Sequence, residues 1–485
     1  VNDSRLDSSH WLVPAALLIG AVFLFANLYA TPTVPFLMAG DQMYFWSFAQ
    51  RMLDGDRVYL DFLQFTPPGT DLLYRVPLQL FGLRIGLPNA MDLLLGVALS
   101  WIAFALARRI MDRGRALLAM GLFLVWVYGK SLNGTHHWWS MLAILCGLLV
   151  ASRSPAATGA LFGLSAFFTQ THGVFAACGY AAFLIWDAHR TRRGWGSLAR
   201  QLGACAAAFA VVLALTEAPY VASVGFPTLW YLEVTYSAKY IAIHHQTSLF
   251  GFEWSWHNAP NIIQRALVAL VPPVVYLVTV VRCWRTDQRE AMLFALVGGA
   301  LFLEIASSPN WIRAYAVCMP GVVLLVWLLA PSLIRWAWAV VALLAIQQTI
   351  GRHRGLSTIV TLPAGRVATT AETAEPLVWL AQHTRPGDYF FQGTSPMDYL
   401  PLQLRNPAFV SEITNDESTR PENIARSVAE LEAKQVRYVL WTRFNEPDPE
   451  HPQDDHLAAL RTYLDDRYRK VQTFPDQEEI LERLP

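Results

Sequence analysis

The sequence predicts a mostly α-helical, polytopic membrane protein with a small soluble α/β domain at its C-terminal end. Three observations carry this. Of 485 residues, 54% are hydrophobic and only 15% charged, against about 25% charged in soluble domains. Apolar stretches of crossing length recur up to about residue 350. Beyond Gly351 the composition turns charged and no such stretch follows. The formal net charge is +0, so no basic surface for nucleic acid is expected.

Taken in order, candidate spans cover 11–30, 87–107, 115–130, 138–152, 155–170, 172–187, 203–221, 263–281, 290–306, 311–329 and 333–350, about eleven crossings by hydropathy. The first, from Trp11 to Tyr29, is too long for a signal-peptide core and has no small-residue cleavage site after it, so it reads as an anchor. Three basic clusters then set the orientation. Arg108, Arg109, Arg113 and Arg115 form one, Arg190, Arg192, Arg193 and Arg200 the next, and Arg282, Arg285 and Arg289 the third. An alternating path puts all three on one side, cytoplasmic by the positive-inside rule. The N-terminus is then cytoplasmic, and the 31–86 loop, the 222–262 stretch and the C-terminal domain face outward, in a bacterial inner membrane with a periplasmic domain. The five cysteines lie in or beside apolar spans without metal-ligand spacing and read as packing.

The 31–86 loop is too long and too aromatic for a plain connector. Asp41 to Leu53 carries Tyr44, Phe45, Phe48 and Met52 at helical spacing, and Thr70 to Leu80 has a similar apolar face, so both read as interfacial helices. Between them, Pro67 and Pro68 stiffen the chain before Gly69. The 222–262 stretch concentrates Trp230, Tyr231, Tyr236, Tyr240, His244, His245, Trp254, Trp256 and His257, a composition suited to the headgroup level. The membrane domain is therefore assigned to 1–350, a linker to 351–360 and the α/β domain to 361–485. In the last, helices are expected at Ala371–Gln382, Asn423–Lys434 and His456–Leu464, with strands at 388–391 and 436–441.

Asp41 opening the outward loop, the segment Gly55-Asp56-Arg57-Val58-Tyr59-Leu60-Asp61, and Pro67-Pro68 before a second surface helix together resemble the GT-C glycosyltransferases, among them the protein O-mannosyltransferases and the lipid A aminoarabinose transferases. The resemblance is architectural over most of the chain, and its motifs are short. It implies a polyprenyl-phosphate-linked sugar donor, a glycan, lipid or protein acceptor outside the cytoplasm, and the first-loop acid as catalytic base. Many relatives carry an acidic pair at that point. Here Gln42 follows Asp41, which leaves one carboxylate and makes a divalent metal less expected, so no cofactor is assigned.

Such chemistry needs a base for the acceptor hydroxyl, and Asp41, partly desolvated at a membrane-facing helix start, suits it. Its plainer reading is a helix cap. Asp61 is a second candidate that reads equally as a turn former. A lipid phosphate leaving group calls for cations. Arg313, at the outward start of a span, leads, with snorkelling as its plainer role. Lys239 and Arg352 follow. Tyr44, His136, His137, His172 and Glu217 are candidates for contact with sugar or acceptor, and Glu304 is a further intramembrane acid. For the histidines, interfacial anchoring is the plainer reading. A transporter or flippase without transferase activity is the alternative function. It would need paired, Gly/Pro-broken spans in two matching halves, and the two halves of the sequence do not match.

Overall fold

The computed structural model describes residues 11–241, 259–306, 310–415, 418–442, 445–447, 455–475 and 477–485. The expected aromatic and histidine positions His244, His245, Trp254, Trp256 and His257 lie outside them. The chain is mostly helical and divides into two compact units. One is assembled from residues 1–28, 91–218 and 245–352, the other from 29–90, 219–244 and 353–485.

The first unit is helical. Among the described residues, four helices are long and apolar enough to cross a membrane: Leu87–Ala107, Trp195–Val224, Asn261–Arg285 and Pro331–Gly355. A fifth crossing results if Trp311–Val317 and Met319–Leu328 count as one span bent by 58°. The bend falls at Cys318, just before Pro320, which has no N–H to continue the ladder. The remaining expected spans are shorter. Leu12–Leu28 and His136–Val150 are apolar but have 17 and 15 residues, and Pro155–Ala166 has only 12. Side chains fix several helix starts. Asp112 accepts from the Arg115 N–H, Ser154 from the Ala157 N–H and Asn310 from the Ile312 N–H. Gly159 and Gly163, one turn apart, let the Pro155–Ala166 helix approach the Trp195–Val224 helix. A Cβ at Gly159 would lie 2.1 Å from the Cys205 carbonyl oxygen, and one at Gly163 2.6 Å from that of Phe209.

The second unit is mixed. The 31–86 loop, expected as part of the membrane domain, belongs here with the C-terminal residues. Its helices are Gln42–Leu53 and Gly69–Phe81. Residues 351–355, assigned to a linker, form the last turn of the Ile334–Gly355 helix. Strand β1 (Tyr29–Thr31) pairs with β2 (Val34–Pro35), and β3 (Thr358–Leu362) with β4 (Gly365–Thr369), both antiparallel. A four-stranded sheet runs β5-β6-β8-β7, from β5 (Phe390–Gln392), β6 (Tyr438–Trp441), β7 (Tyr468–Thr473) and β8 (Glu479–Arg483). β5 and β6 are parallel and the other pairs antiparallel.

Alternation along β5 and β6 divides the core. Phe391, Val439 and Trp441 pack with Phe48, Phe62 and Leu229. Phe390, Tyr438 and Leu440 face the other way, onto Ile85, Leu377 and Ile480. A strand buried on both faces reads as a continuous apolar run, which is why 436–441 was legible. The helices Ala371–His383, Pro421–Ala433 and Ala458–Arg467 agree with those expected. The β3–β4 and β7–β8 hairpins were not foreseen. Nor was the helical Tyr231–Ile241 segment, read from sequence as loop.

Candidate functional site

In the mixed unit, Asp41 occupies the N-cap position of the Gln42–Leu53 helix, yet its side chain makes no capping bond. The helix start is closed by the backbone instead, with the Met43 N–H donating to the Gly40 carbonyl at 2.9 Å. Asp41 is exposed, where partial desolvation was expected. One turn on, Tyr44 is half-buried and its hydroxyl is hydrogen-bonded to Glu412, with Ser395 beside it. Burial raises the Tyr44 pKa well above its usual value, and the charges of Glu412 and, more weakly, Asp41 raise it further. Tyr44 is therefore a neutral donor to Glu412, within electrostatic reach of Asp41. Glu412 escaped the sequence reading because nothing local ties it to a helix some 370 residues earlier in the chain.

Asp61 belongs to a different arrangement. Its carboxylate takes hydrogen bonds from the Arg57 backbone at 2.8 Å and from the Arg57 guanidinium at 3.0 Å. The Arg57 hydrogen bond holds its pKa below the usual range. A carboxylate held low is a poor proton acceptor, so the turn-forming role is the one the geometry fits. The turn is anchored by Arg51, 3% exposed, which bonds Asp56 at 2.7 Å, the Asp61 carbonyl at 2.8 Å and the Ala408 carbonyl at 2.5 Å. Nearby, the Tyr59 hydroxyl donates to Glu233 at 2.5 Å. Burial pushes Glu233 up to about 7, with the Tyr59 bond pulling it partly back. Lys239 is exposed on the same Tyr231–Ile241 segment, its ammonium 4.9 Å from the Tyr240 ring centroid.

In the helical unit, two cation centres stand apart in character. Arg313 lies 3.7 Å from Glu304 Oε1, and Glu304 is 1% exposed. The Thr171 hydroxyl donates to the same oxygen at 2.7 Å, and His172 Nε2 lies 3.7 Å from the other. His137 packs between His136 and His172, with ring centroids 3.9 and 5.0 Å away and the rings tilted by 35° and 34°. His136 bonds Thr169 at 2.8 Å, and His172 bonds Ser140 at 3.1 Å. Five residues singled out from sequence therefore share one packed polar core. Interfacial anchoring does not describe His137 or His172, which are buried. Among the described residues no group of three or more His, Cys, Asp or Glu is arranged to hold a metal ion.

The second centre is open. A cavity of about 350 Å³ is lined by Asn27, Lys130, Gln264, Gln347, Gln348 and Arg352, among others. Lys130 Nζ donates to Asn261 at 2.7 Å, and Arg352 donates to the Asn27 carbonyl at 3.1 Å. The buried Asp92 is within electrostatic reach of Arg352. Two cations and several amides around one void are the donor set an oxyanion requires. Arg313, ranked first from sequence, does not line this cavity, whereas Arg352 does. Lys130 and Asp92 were missed. Asp92 carried a signal, as an acid inside an otherwise apolar span. Glu217, on the Trp195–Val224 helix, is half-buried and lines neither centre.

Against solved structures the chain is similar to ArnT from Cupriavidus metallidurans bound to undecaprenyl phosphate, with a TM-score of 0.63 at 15% identity over 98% of both chains. The fold is the one this ArnT structure has. A second neighbour is the Archaeoglobus fulgidus oligosaccharyltransferase tethered to an acceptor peptide, with a TM-score of 0.53 and 12% identity over 99% of this chain and 74% of that one. The same enzyme in complex with an inhibitory peptide and a dolichol-phosphate gives 0.50, also at 12%, over 98% and 74%. No family model matches the sequence, and no curated protein is similar to it. The resemblance drawn from Asp41, the 55–61 segment and the two prolines thus agrees with the fold these solved structures have.

Proposed function

We propose that the chain is an integral-membrane glycosyltransferase that moves a sugar from a polyprenyl-phosphate donor to a glycan, lipid or protein acceptor outside the cytoplasm. The observation that carries this reading is the Lys130–Arg352 cavity, in a fold shared with a protein solved bound to undecaprenyl phosphate. Fold-level likeness alone does not assign chemistry, and the cavity supplies the missing local argument. A phosphate monoester leaving from an anomeric carbon carries growing negative charge. Lys130 and Arg352, backed by amide donors, stabilise that charge in low dielectric. Asp41 takes the acceptor hydroxyl's proton as its oxygen bonds to the anomeric carbon and the carbon–phosphate-oxygen bond breaks. Attack from the face opposite the phosphate inverts the anomeric centre. Tyr44 and Glu412 orient the acceptor beside Asp41. The two cations do the work that a divalent metal would otherwise do.

The proposed setting is a bacterial inner membrane, with the N-terminus cytoplasmic, the 353–485 residues periplasmic and about eleven crossings, the short helices included. A transporter or flippase is the competing reading, favoured by the bent Trp311–Val317 and Met319–Leu328 pair. Native mass spectrometry with undecaprenyl phosphate, paired with a transfer assay on a radiolabelled lipid-linked sugar, separates them. Asp41→Asn is expected to retain the lipid while turnover falls roughly a hundredfold or more. Full transfer by Asp41→Asn would remove Asp41 as base, and lipid movement without transfer in wild type would favour the transporter.

A further inference from the structure

The basic end of the helical unit carries two adjoining cavities that the proposed transfer reaction does not use. The first, of about 240 Å³, is lined by Trp186, His189, Arg190, Arg192 and Trp284. The second, of about 580 Å³, adds an apolar wall of Ile185, Ala188, Trp195 and Leu198, and is also lined by Arg193. His189 and Arg192 line both. One compartment is thus polar and cationic, the next joins an apolar wall to a basic one, and the two share His189 and Arg192.

The charges around them divide into spent and unspent. Asp187, 2% exposed, engages Arg289 at 2.6 Å and Arg193 at 3.3 Å. Arg109, on the same unit, is committed to Glu290 at 3.2 Å and to the Leu148 carbonyl. Arg190 and Arg192 have no ion pair among the described residues, and both are exposed. Arg192 holds a φ of 52°, in the left-handed region that bulky residues rarely adopt. The fold therefore fixes the turn between the Gln170–Arg190 and Trp195–Val224 helices in an uncommon conformation, with one guanidinium without an ion pair at its start and another within it. Trp195 and Trp284 are 84% and 60% exposed beside them. Indole rings of this kind settle at the level of lipid headgroups.

We infer that this paired cavity is a binding site for an anionic phospholipid, its phosphate held by Arg190, Arg192 and His189 and its acyl region lying against Ile185 and Leu198. Cationic recesses between helix ends on the basic side of a membrane protein suit doubly charged headgroups, and the apolar neighbour separates a lipid from a free phosphate ion. The site is distinct from the Lys130–Arg352 cavity, with which it shares no lining residue.

The test uses the full chain in detergent with a photoactivatable cardiolipin, followed by peptide mapping, and native mass spectrometry against phosphatidylcholine. Crosslinks are expected on peptides covering 185–198 and Trp284, with cardiolipin adducts in excess over phosphatidylcholine. Arg190→Gln with Arg192→Gln should lower cardiolipin retention about twenty-five-fold, at roughly five-fold per arginine, while Arg335→Gln leaves it unchanged. A melting curve equal to wild type confirms that the double variant is folded, and His189→Gln, with a smaller loss, provides an independent check. Equal retention of both lipids, an unaffected double variant, or crosslinks confined to the Lys130 and Arg352 peptides would each overturn the assignment. Displacement of the lipid by millimolar inorganic phosphate would identify a free-anion site and overturn it as well.

Discussion

Arg313 and Arg352 belong to the same helical unit, and each is set against a buried acid that is 1% exposed, Glu304 for one and Asp92 for the other. Their surroundings differ. Around Arg313 the space is filled by Glu304, Thr171 and the three packed histidines. Around Arg352 it is open, bounded by Lys130 and side-chain amides. An intramembrane arginine is costly wherever it lies, and its cost is offset either by a packed counter-ion or by a ligand. Both are charges in apolar stretches, and sequence alone ranks them by context in the chain. The void decides which one is available to bind.

The largest effect that sharpens this contrast is on donor binding. Removing Lys130 and Arg352 together, as Lys130→Gln with Arg352→Gln, should weaken undecaprenyl phosphate retention on the order of a thousandfold, from two lost charge-assisted hydrogen bonds. Arg313→Gln should leave retention within about threefold in the same native mass spectrometry. Equal losses in the two variants would break the comparison outright.

The next effect is on stability and runs the opposite way. Arg313→Gln strands Glu304 without its cation and should cost about 3 kcal/mol, read as a lowered melting temperature in detergent. Arg313→Met combined with Glu304→Leu should recover most of that loss, because the buried pair is removed together. Arg352→Gln should cost less, since Asp92 is coupled to Arg352 only through charge at a distance.

The smallest effect tests whether a buried acid outside the membrane helices follows the same rule. Glu233 has its folded pKa raised to about 7 from an ordinary 4.5. The fold therefore favours the neutral acid. That contribution is fully present below about pH 4.5 and is lost as the pH rises through 7. Glu233→Gln should remove the loss, so its stability advantage over wild type grows between those limits to on the order of 3 kcal/mol at most. Urea or thermal titrations at pH 5 and pH 8 measure it. An advantage that does not change with pH would place the cause in packing rather than ionisation.

Much of the fold was legible for identifiable reasons. The Gln42–Leu53 and Gly69–Phe81 helices carry one-sided apolar faces. β6 is apolar throughout because both of its faces are covered. The hairpins were illegible. β7 reads Tyr-Arg-Lys-Val-Gln-Thr and is exposed along most of its length, so no apolar alternation marks it. The short helices of the first unit escaped an even division into spans because hydropathy counts length without seeing the bend after Cys318 or the end of the Pro155–Ala166 helix after 12 residues.

The candidate site divides the same way. Asp41, Tyr44, Arg313 and the histidines were visible as chemistry-bearing types at the ends of apolar stretches. Glu412 beside Tyr44, and Lys130 with Asp92 around Arg352, were not.

By itself the sequence determined the composition, the run of apolar helices, the charged C-terminal region and the residue types able to serve a phosphate or a proton. These follow from local hydrophobicity and side-chain chemistry, which each residue carries wherever it lies. Only the tertiary structure decided that Arg313 is neutralised while Arg352 faces a cavity, that Asp61 is held by Arg57, and that Tyr44 meets a carboxylate from the other end of the chain. Burial, partner and void are properties of what packs against a residue, and packing brings together positions hundreds of residues apart.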